Sequence, residues 1–77
     1  MIKVSHVHAL PNKHVFIELN DGRKGCFDVS PYIKSHFFME LESEDYFQKV
    51  NIFFGGIGWP NGQDLGPDTI SAYLKSL

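Results

Sequence analysis

Alternating apolar positions in the first third of the chain predict β-strands. Within residues 14–20, Val15, Ile17 and Leu19 recur at every second position, so an extended segment here has one apolar face. Comparable short segments precede and follow it. The three predicted strands cover residues 2–9, 14–20 and 23–28.

Turn residues separate these three segments. Pro11 and Asn12 lie between the first two strands, where proline presets φ and asparagine tolerates tight geometry. Asp21-Gly22 lies between the second and third strands and is a strong hairpin signal, because a primed turn needs positive φ at both central residues. We therefore predict an antiparallel three-stranded meander over about residues 2–29.

Two short helices are predicted after the meander. Ser30 is placed to cap a helix over about residues 31–36, with Pro31 at the first helical position, where no N–H is needed. Ser43 is a second capping residue. It precedes acidic residues that favour the positive end of a helix dipole, so residues 43–49 predict another short helix.

The last third predicts a second hairpin and a terminal helix. Residues 50–54 and 57–59 flank Gly55 and Gly56, and these two strands are expected to join the first sheet. A turn-rich stretch follows. Residues 67–77 then carry an apolar stripe at helical spacing, which is expected to pack on the sheet. The stripe consists of Ile70, Tyr73, Leu74 and Leu77.

Length and composition indicate one small α+β domain over residues 1–77. Of these 77 residues, 43% are hydrophobic and 21% charged, an ordinary globular balance. Cys26 is the single cysteine, so no internal disulfide can form, which fits a reducing compartment. No apolar run resembles a signal peptide or reaches the ~20 residues that span a bilayer. We expect a cytoplasmic protein without membrane contact.

The charge distribution argues against nucleic-acid binding. Seven Lys and Arg residues are scattered among nine Asp and Glu residues, whereas nucleic-acid-binding proteins concentrate cations to neutralise phosphates. The carboxylates gather between positions 40 and 45, which indicates either a solvated helix start or a docking patch for a basic partner. They belong to Glu40, Glu42, Glu44 and Asp45.

Four short motifs are distinctive when taken together. They are NDG at 20–22, FDVSPYI at 27–33, YFQKV at 46–50 and WPNGQDLGPDT at 59–69. With these motifs the chain resembles the bacterial family called domain of unknown function 2442, over about residues 2–74. The last motif is the most specific part of the resemblance.

The resemblance implies a small α+β fold and supplies no catalytic residues. Members of the family often stand beside a second small uncharacterised protein, domain of unknown function family 4160, in an arrangement suggestive of toxin and antitoxin. The resemblance therefore implies a protein partner encoded nearby. Some relatives extend into a DNA-binding-like helical region, but this chain stops at Leu77, so no role that depends on that region is expected.

Histidines and the cysteine are the residues best suited to metal binding or catalysis. His6 and His8 lie two positions apart and so on the same strand face, which Ile2 and Val4 also occupy, so the pair is expected to be partly in the core. Structural zinc needs four converging donors, and no such spacing is present. We expect no metal or other cofactor. The alternative is a metal-binding, small-molecule-binding or enzymatic role for His6, His8, His14 and Cys26.

The segment of residues 59–64 has two interpretations. Residues 61–64 (Asn61, Gly62, Gln63 and Asp64) suit a polar binding loop, with Trp59 as an aromatic platform. They equally suit a tight turn whose polar groups bond to nearby backbone while the indole packs under the terminal helix.

No catalytic set can be assembled from these residues. We therefore expect a protein-interaction module, antitoxin-like in role, that is a monomer or weak homodimer and not an enzyme. Its candidate binding residues are Glu42, Glu44, Trp59, Asn61 and Asp64.

Overall fold

The predicted meander forms most of the larger of two antiparallel β-sheets in the computed structural model, which describes residues 1–76. The strands are β1 (Val4–Leu10), β2 (His14–Leu19), β3 (Lys24–Asp28), β4 (Asn51–Phe53), β5 (Gly56–Gly58), β6 (Asp64–Leu65) and β7 (Lys75–Ser76). The helical segments are a first 3-10 helix (Ser30–Tyr32), a second 3-10 helix (Phe37–Glu42), α1 (Glu44–Phe47) and α2 (Pro67–Tyr73). The predicted α+β fold is confirmed.

The larger sheet has the strand order β1-β2-β3-β7, and its last strand was not predicted. β7 pairs antiparallel with β3, with Ser76 opposite Gly25. The backbones come close enough that a Cβ on Gly25 would clash with the carbonyl oxygen of Lys75. Glycine at this position therefore lets the end of the chain pair with the edge of the meander.

The helix predicted over residues 67–77 is too long. α2 ends at Tyr73, and Leu74 already has an extended backbone (ψ 130°) that leads into β7. Only Ile70 of the predicted stripe is fully buried in the helix, whereas Tyr73 is 67% exposed. Leu74 packs against the core from outside the helix, and Leu77 lies outside the described residues.

The second hairpin does not join the first sheet, contrary to the prediction. β4 and β5 pair with β6, which comes from the stretch predicted to be turns, in a separate sheet of order β4-β5-β6. A Cβ on Gly56 would clash with the carbonyl oxygen of Leu65, so glycine again permits the pairing. The two sheets meet where the Val4 N–H donates to the Gly55 carbonyl oxygen (2.7 Å).

The predicted capping role of Ser43 is confirmed, and that of Ser30 is wrong. Ser43 accepts a hydrogen bond from the Tyr46 N–H at the start of α1. The first 3-10 helix is only one turn long and has no side-chain cap; instead Ser30 donates to the Asp28 carboxylate from its N–H (2.9 Å) and its hydroxyl (2.7 Å). The second 3-10 helix was not predicted.

One apolar core lies against the inner face of the larger sheet and draws on both sheets and the helical segments. Its members are Val4, Val15, Ile17, Leu19, Phe27, Val29, Ile33, Leu41, Phe47, Ile57, Trp59, Leu65 and Ile70. The side chains on the opposite face of the larger sheet are exposed, as for His6 and His8, or half-buried, as for Phe16 and Cys26. No helix within that range is long and apolar enough to cross a membrane.

Candidate functional site

Trp59 does not form an exposed aromatic platform. Its side chain is 3% exposed, and its ring packs against Phe47 with centroids 5.7 Å apart. The indole N–H donates to the Phe47 carbonyl oxygen (3.0 Å), a carbonyl in the last turn of α1. Trp59 therefore connects the smaller sheet to α1, and its indole N–H is used inside the protein.

Asn61 is also used inside the protein. Its side-chain amide donates to both oxygens of the Glu40 carboxylate (2.9 and 2.7 Å), and its backbone N–H donates to the Tyr46 hydroxyl (2.7 Å). The hydrogen bonds from Asn61, and then from Gln63, lower the pKa of Glu40 because they favour its charged form. Asp64 is exposed at the edge strand β6, opposite Gly58.

Gln63 is the centre of this hydrogen-bond network, a role that the sequence did not predict. Its side chain is fully buried. The amide nitrogen donates to the Phe37 carbonyl oxygen (3.1 Å) and to the Glu40 carboxylate (3.0 Å), while the amide oxygen accepts from the Tyr46 hydroxyl (2.7 Å). The contacts of residues 59–63 thus favour the structural interpretation of the segment.

Two of the four carboxylates of residues 40–45 form hydrogen bonds within the protein. Glu44 accepts from Gln48 (2.8 Å) and from the Lys13 ammonium (3.1 Å), and these bonds lower its pKa. Lys13 also donates to the Glu42 carbonyl oxygen (3.1 Å) and lies over the Phe47 ring. Of the four acids, Glu40 and Glu44 therefore have internal partners, and the carboxylates of Glu42 and Asp45 face solvent without a hydrogen bond from residues 1–76.

His6 and His8 face solvent, not the core, so that part of the prediction is wrong. A register shift between Val4 and His6 on β1 changes which face each residue occupies, so that Val4 is buried and both histidines are exposed. His6 Nε2 and His8 Nδ1 lie 3.3 Å apart, and the His8 ring stacks on Phe16 with centroids 5.0 Å apart. Within residues 1–76 no three metal-ligating side chains converge.

His14, Cys26 and Asp28 line one cleft beside β3, together with side chains from the first 3-10 helix, α2 and β7. The cleft has a volume of about 710 Å³ and mostly aromatic and apolar walls. Its lining residues are His14, Cys26, Phe27, Asp28, Pro31, Tyr32, Tyr73 and Lys75.

The three groups in this cleft do not form a nucleophile with its base. His14 donates from Nδ1 to the Asn12 carbonyl oxygen (2.9 Å), and its Nε2 lies 4.0 Å from Asp28 Oδ2, beyond hydrogen-bond distance. Cys26 pairs across the strands with Phe16, not with His14. The Asp28 carboxylate is held by Ser30, whose hydroxyl lowers the pKa of Asp28. The geometry needed for thiol catalysis is absent from residues 1–76.

An exposed apolar surface lies at the tip of the β4–β5 hairpin. Phe54 is 87% exposed, and Ile52 and Phe53 are 44% and 37% exposed. The turn consists of Phe54 (φ 48°) and Gly55 (φ 81°), whereas the sequence indicated Gly55-Gly56. A two-residue turn with positive φ at both positions is normally formed by Asn, Asp or Gly, and a bulky aromatic residue there is an outlier. We call Ile52, Phe53 and Phe54 the hairpin patch.

The family resemblance is confirmed by comparison with known protein families. Residues 4–76 match the family described as Protein of unknown function (DUF2442). The chain belongs to this family. No curated protein and no solved structure matches the chain. A functional proposal for this DUF2442 chain therefore starts from the side chains on its surface.

The buried amide of this DUF2442 chain yields a first testable prediction. Replacing Gln63 with Met should lower the free energy of unfolding by about 1–3 kcal/mol, because buried polar partners lose their hydrogen bonds. Urea denaturation at pH 7 measures the change. The matched control is Gln48→Met, which removes an exposed amide and should stay within about 0.5 kcal/mol.

The pH dependence of the same variant isolates the hydrogen bond from Gln63 to the Glu40 carboxylate. A carboxylate with a lowered pKa stabilises the fold above its unfolded pKa, and this stabilisation disappears as the pH falls through the folded pKa. The deficit of Gln63→Met should therefore shrink as the pH falls below the ordinary pKa of a glutamate and through the lowered pKa of Glu40. A deficit that is independent of pH would show that the bond from Gln63 to Glu40 adds no stability, and that the loss comes from the bonds to Phe37 and Tyr46 or from packing.

Proposed function

We propose that this chain is a protein-binding module whose contact surface is centred on Phe54. The observation that carries the proposal is that Phe54 is both 87% exposed and held at positive φ. The positive φ is unfavourable for folding and the exposed ring contributes no burial, so neither property is explained by the stability of this domain. Outliers of this kind cluster at functional sites.

The energetic argument against a folding role for Phe54 is direct. A non-glycine residue in the left-handed region costs about 1–2 kcal/mol, and Asn tolerates it better. Exposing the ring leaves its apolar area in water, where it contributes no burial. The ring contacts its neighbour Phe53 in a T-shaped arrangement with centroids 4.5 Å apart.

The hairpin patch has the composition of a protein-contact surface. Aromatic residues are enriched in the central, well-buried parts of protein interfaces because they remove large areas from water with little loss of side-chain freedom. A shallow groove continues the patch on the same hairpin. Its lining residues are Lys49, Asn51, Ile52, Phe53, Gly58, Trp59 and Pro60.

The partner that we propose is a basic protein encoded nearby. The chain has a net charge of −2, and the carboxylates of Glu42 and Asp45 are free for an external cation. This complementarity, together with the gene arrangement implied by the family resemblance, supports an antitoxin-like role in which the chain neutralises a small toxin-like protein.

Phe54→Asn tests the proposal without damaging the turn. Because Asn suits positive φ, the variant should be as stable as the native chain or up to about 1 kcal/mol more stable. Its affinity for the protein encoded beside it should fall by about 30-fold or more, the loss expected for an interface hot spot. Calorimetric titration and thermal melting measure the two effects.

The matched control for this test is Met39→Gln. Met39 is also an exposed apolar residue, but it belongs to a different element, the second 3-10 helix. It should leave affinity unchanged. Equal losses for both variants, or a loss of stability in Phe54→Asn, would contradict the proposed contact surface.

The free carboxylates should govern the rate of association. Glu42→Gln combined with Asp45→Asn should slow association and flatten its salt dependence while leaving dissociation almost unchanged, because charges at the edge of an interface mainly steer encounter. Screening over a Debye length of ~8 Å at physiological ionic strength explains the salt effect. Kinetics on an immobilised partner at low and high salt measure it. A faster dissociation with unchanged association would place these carboxylates within the contact itself.

The cleft beside β3 supports a second candidate function, the binding of a small aromatic molecule. Its volume of about 710 Å³ lies within the range of about 300–1,000 Å³ typical of ligand sites. Tyr73 forms one exposed wall, so Tyr73→Ala should remove ligand binding in an NMR fragment screen without unfolding the domain. Phe54→Asn is the control and should retain every ligand. Ligands that survive Tyr73→Ala would exclude the cleft as their site.

A further inference from the structure

We infer that His6 and His8 form a surface chelate for a divalent cation that prefers nitrogen ligands, with Zn²⁺ as its representative. The site lies on the outer face of the larger sheet and is separate from the hairpin patch. It differs from the four-donor structural zinc site considered for the sequence, because it uses two protein ligands and solvent.

The spacing of the two histidines fits this ion. His6 Nε2 and His8 Nδ1 are 3.3 Å apart. Two imidazole nitrogens that bind Zn²⁺ at about 2.0–2.1 Å in tetrahedral geometry are separated by about 3.3–3.4 Å. The facing nitrogens therefore already stand at the distance that a shared ion requires.

Proton positions can adjust without a change in net charge. In the neutral pair one of the facing nitrogens donates to the other. When the ion binds, the proton on that nitrogen moves to the far nitrogen of the same ring, so both facing nitrogens present lone pairs. Each ring then keeps one N–H that points to solvent.

Phe16 orients the chelate from the neighbouring strand. It lies directly opposite His8 in the β1–β2 register. The two rings stack at an interplanar angle of 21°, and the His6 ring meets Phe16 edge-on with centroids 6.0 Å apart. Groups that fix the orientation of a ligating imidazole raise metal affinity, so Phe16 acts as a positioning residue.

The remaining coordination positions are open. Within residues 1–76 no third ligating side chain converges on the pair. Glu18 lies opposite His6 in the strand register and on the same face, and is the nearest carboxylate by register. A site with two protein ligands leaves positions for water or a ligand from another molecule.

The test is a zinc titration of the untagged full chain by calorimetry, with ¹⁵N NMR of the histidine rings. Zn²⁺ should bind with one-to-one stoichiometry and shift the ring signals of His6 and His8. His6→Gln and His8→Gln should each weaken binding by about tenfold or more, since even the loss of an orienting partner costs about 10–100-fold. Cu²⁺ should bind more tightly than Zn²⁺, and Mg²⁺, which prefers oxygen ligands, should not compete.

His36→Gln is the matched control, because His36 is an exposed histidine outside the pair. It should leave zinc affinity unchanged. Phe16→Leu should weaken zinc binding while retaining the stoichiometry. Glu18→Gln should leave zinc affinity unchanged if the site has two protein ligands, and should lower it if the site recruits the Glu18 carboxylate.

The inference is overturned if His6→Gln and His8→Gln bind zinc like the native chain, if saturation requires millimolar zinc, or if Mg²⁺ competes. The three histidines are exposed, whereas Phe16 and Glu18 are half-buried, and thermal melting verifies that the variants are folded.

Discussion

The buried amide of Gln63 is the interaction on which the second half of the structure depends. Its hydrogen bonds reach the Phe37 carbonyl, the Glu40 carboxylate and the Tyr46 hydroxyl, so one side chain joins the second 3-10 helix, α1 and the turn that precedes β6. A buried amide without partners would be strongly unfavourable, whereas one with all its partners fixes a single arrangement. The short helical segments have few hydrogen bonds of their own, and this network determines where they lie.

Glycine provides the second constraint, because both strands that the sequence did not reveal lie against a glycine backbone. β7 packs onto Gly25 and β6 onto Gly56, and in each case a Cβ would clash with a carbonyl oxygen of the incoming strand. A strand of two residues has no measurable periodicity, so sequence patterns cannot identify it. The three meander strands were predictable because five to seven residues suffice to display a period of two.

The candidate site was predicted less well than the fold, and the reasons are physical. Trp59 and Asn61 have the composition of a binding loop, but their partners come from residues 40, 46 and 47, whose proximity only the tertiary structure reveals. The face occupied by His6 and His8 was mistaken because a bulge changes the parity of a strand and leaves no mark in the local pattern. Phe54 was read as part of a strand, since an aromatic residue is a poor indicator of a primed turn.

Some of these residues contribute to the stability of the fold, whereas others on the surface do not. The segment of residues 59–63, which looks most functional in the sequence, has its polar groups satisfied internally, so changing it should disturb the structure before it disturbs any binding event. The hairpin patch has the opposite character. Its central residue, Phe54, is 87% exposed and occupies an unfavourable backbone conformation, so it adds little to the packing of the core. A residue that opposes folding locally is the more informative guide to function, because the stability of the domain gives no reason for its presence.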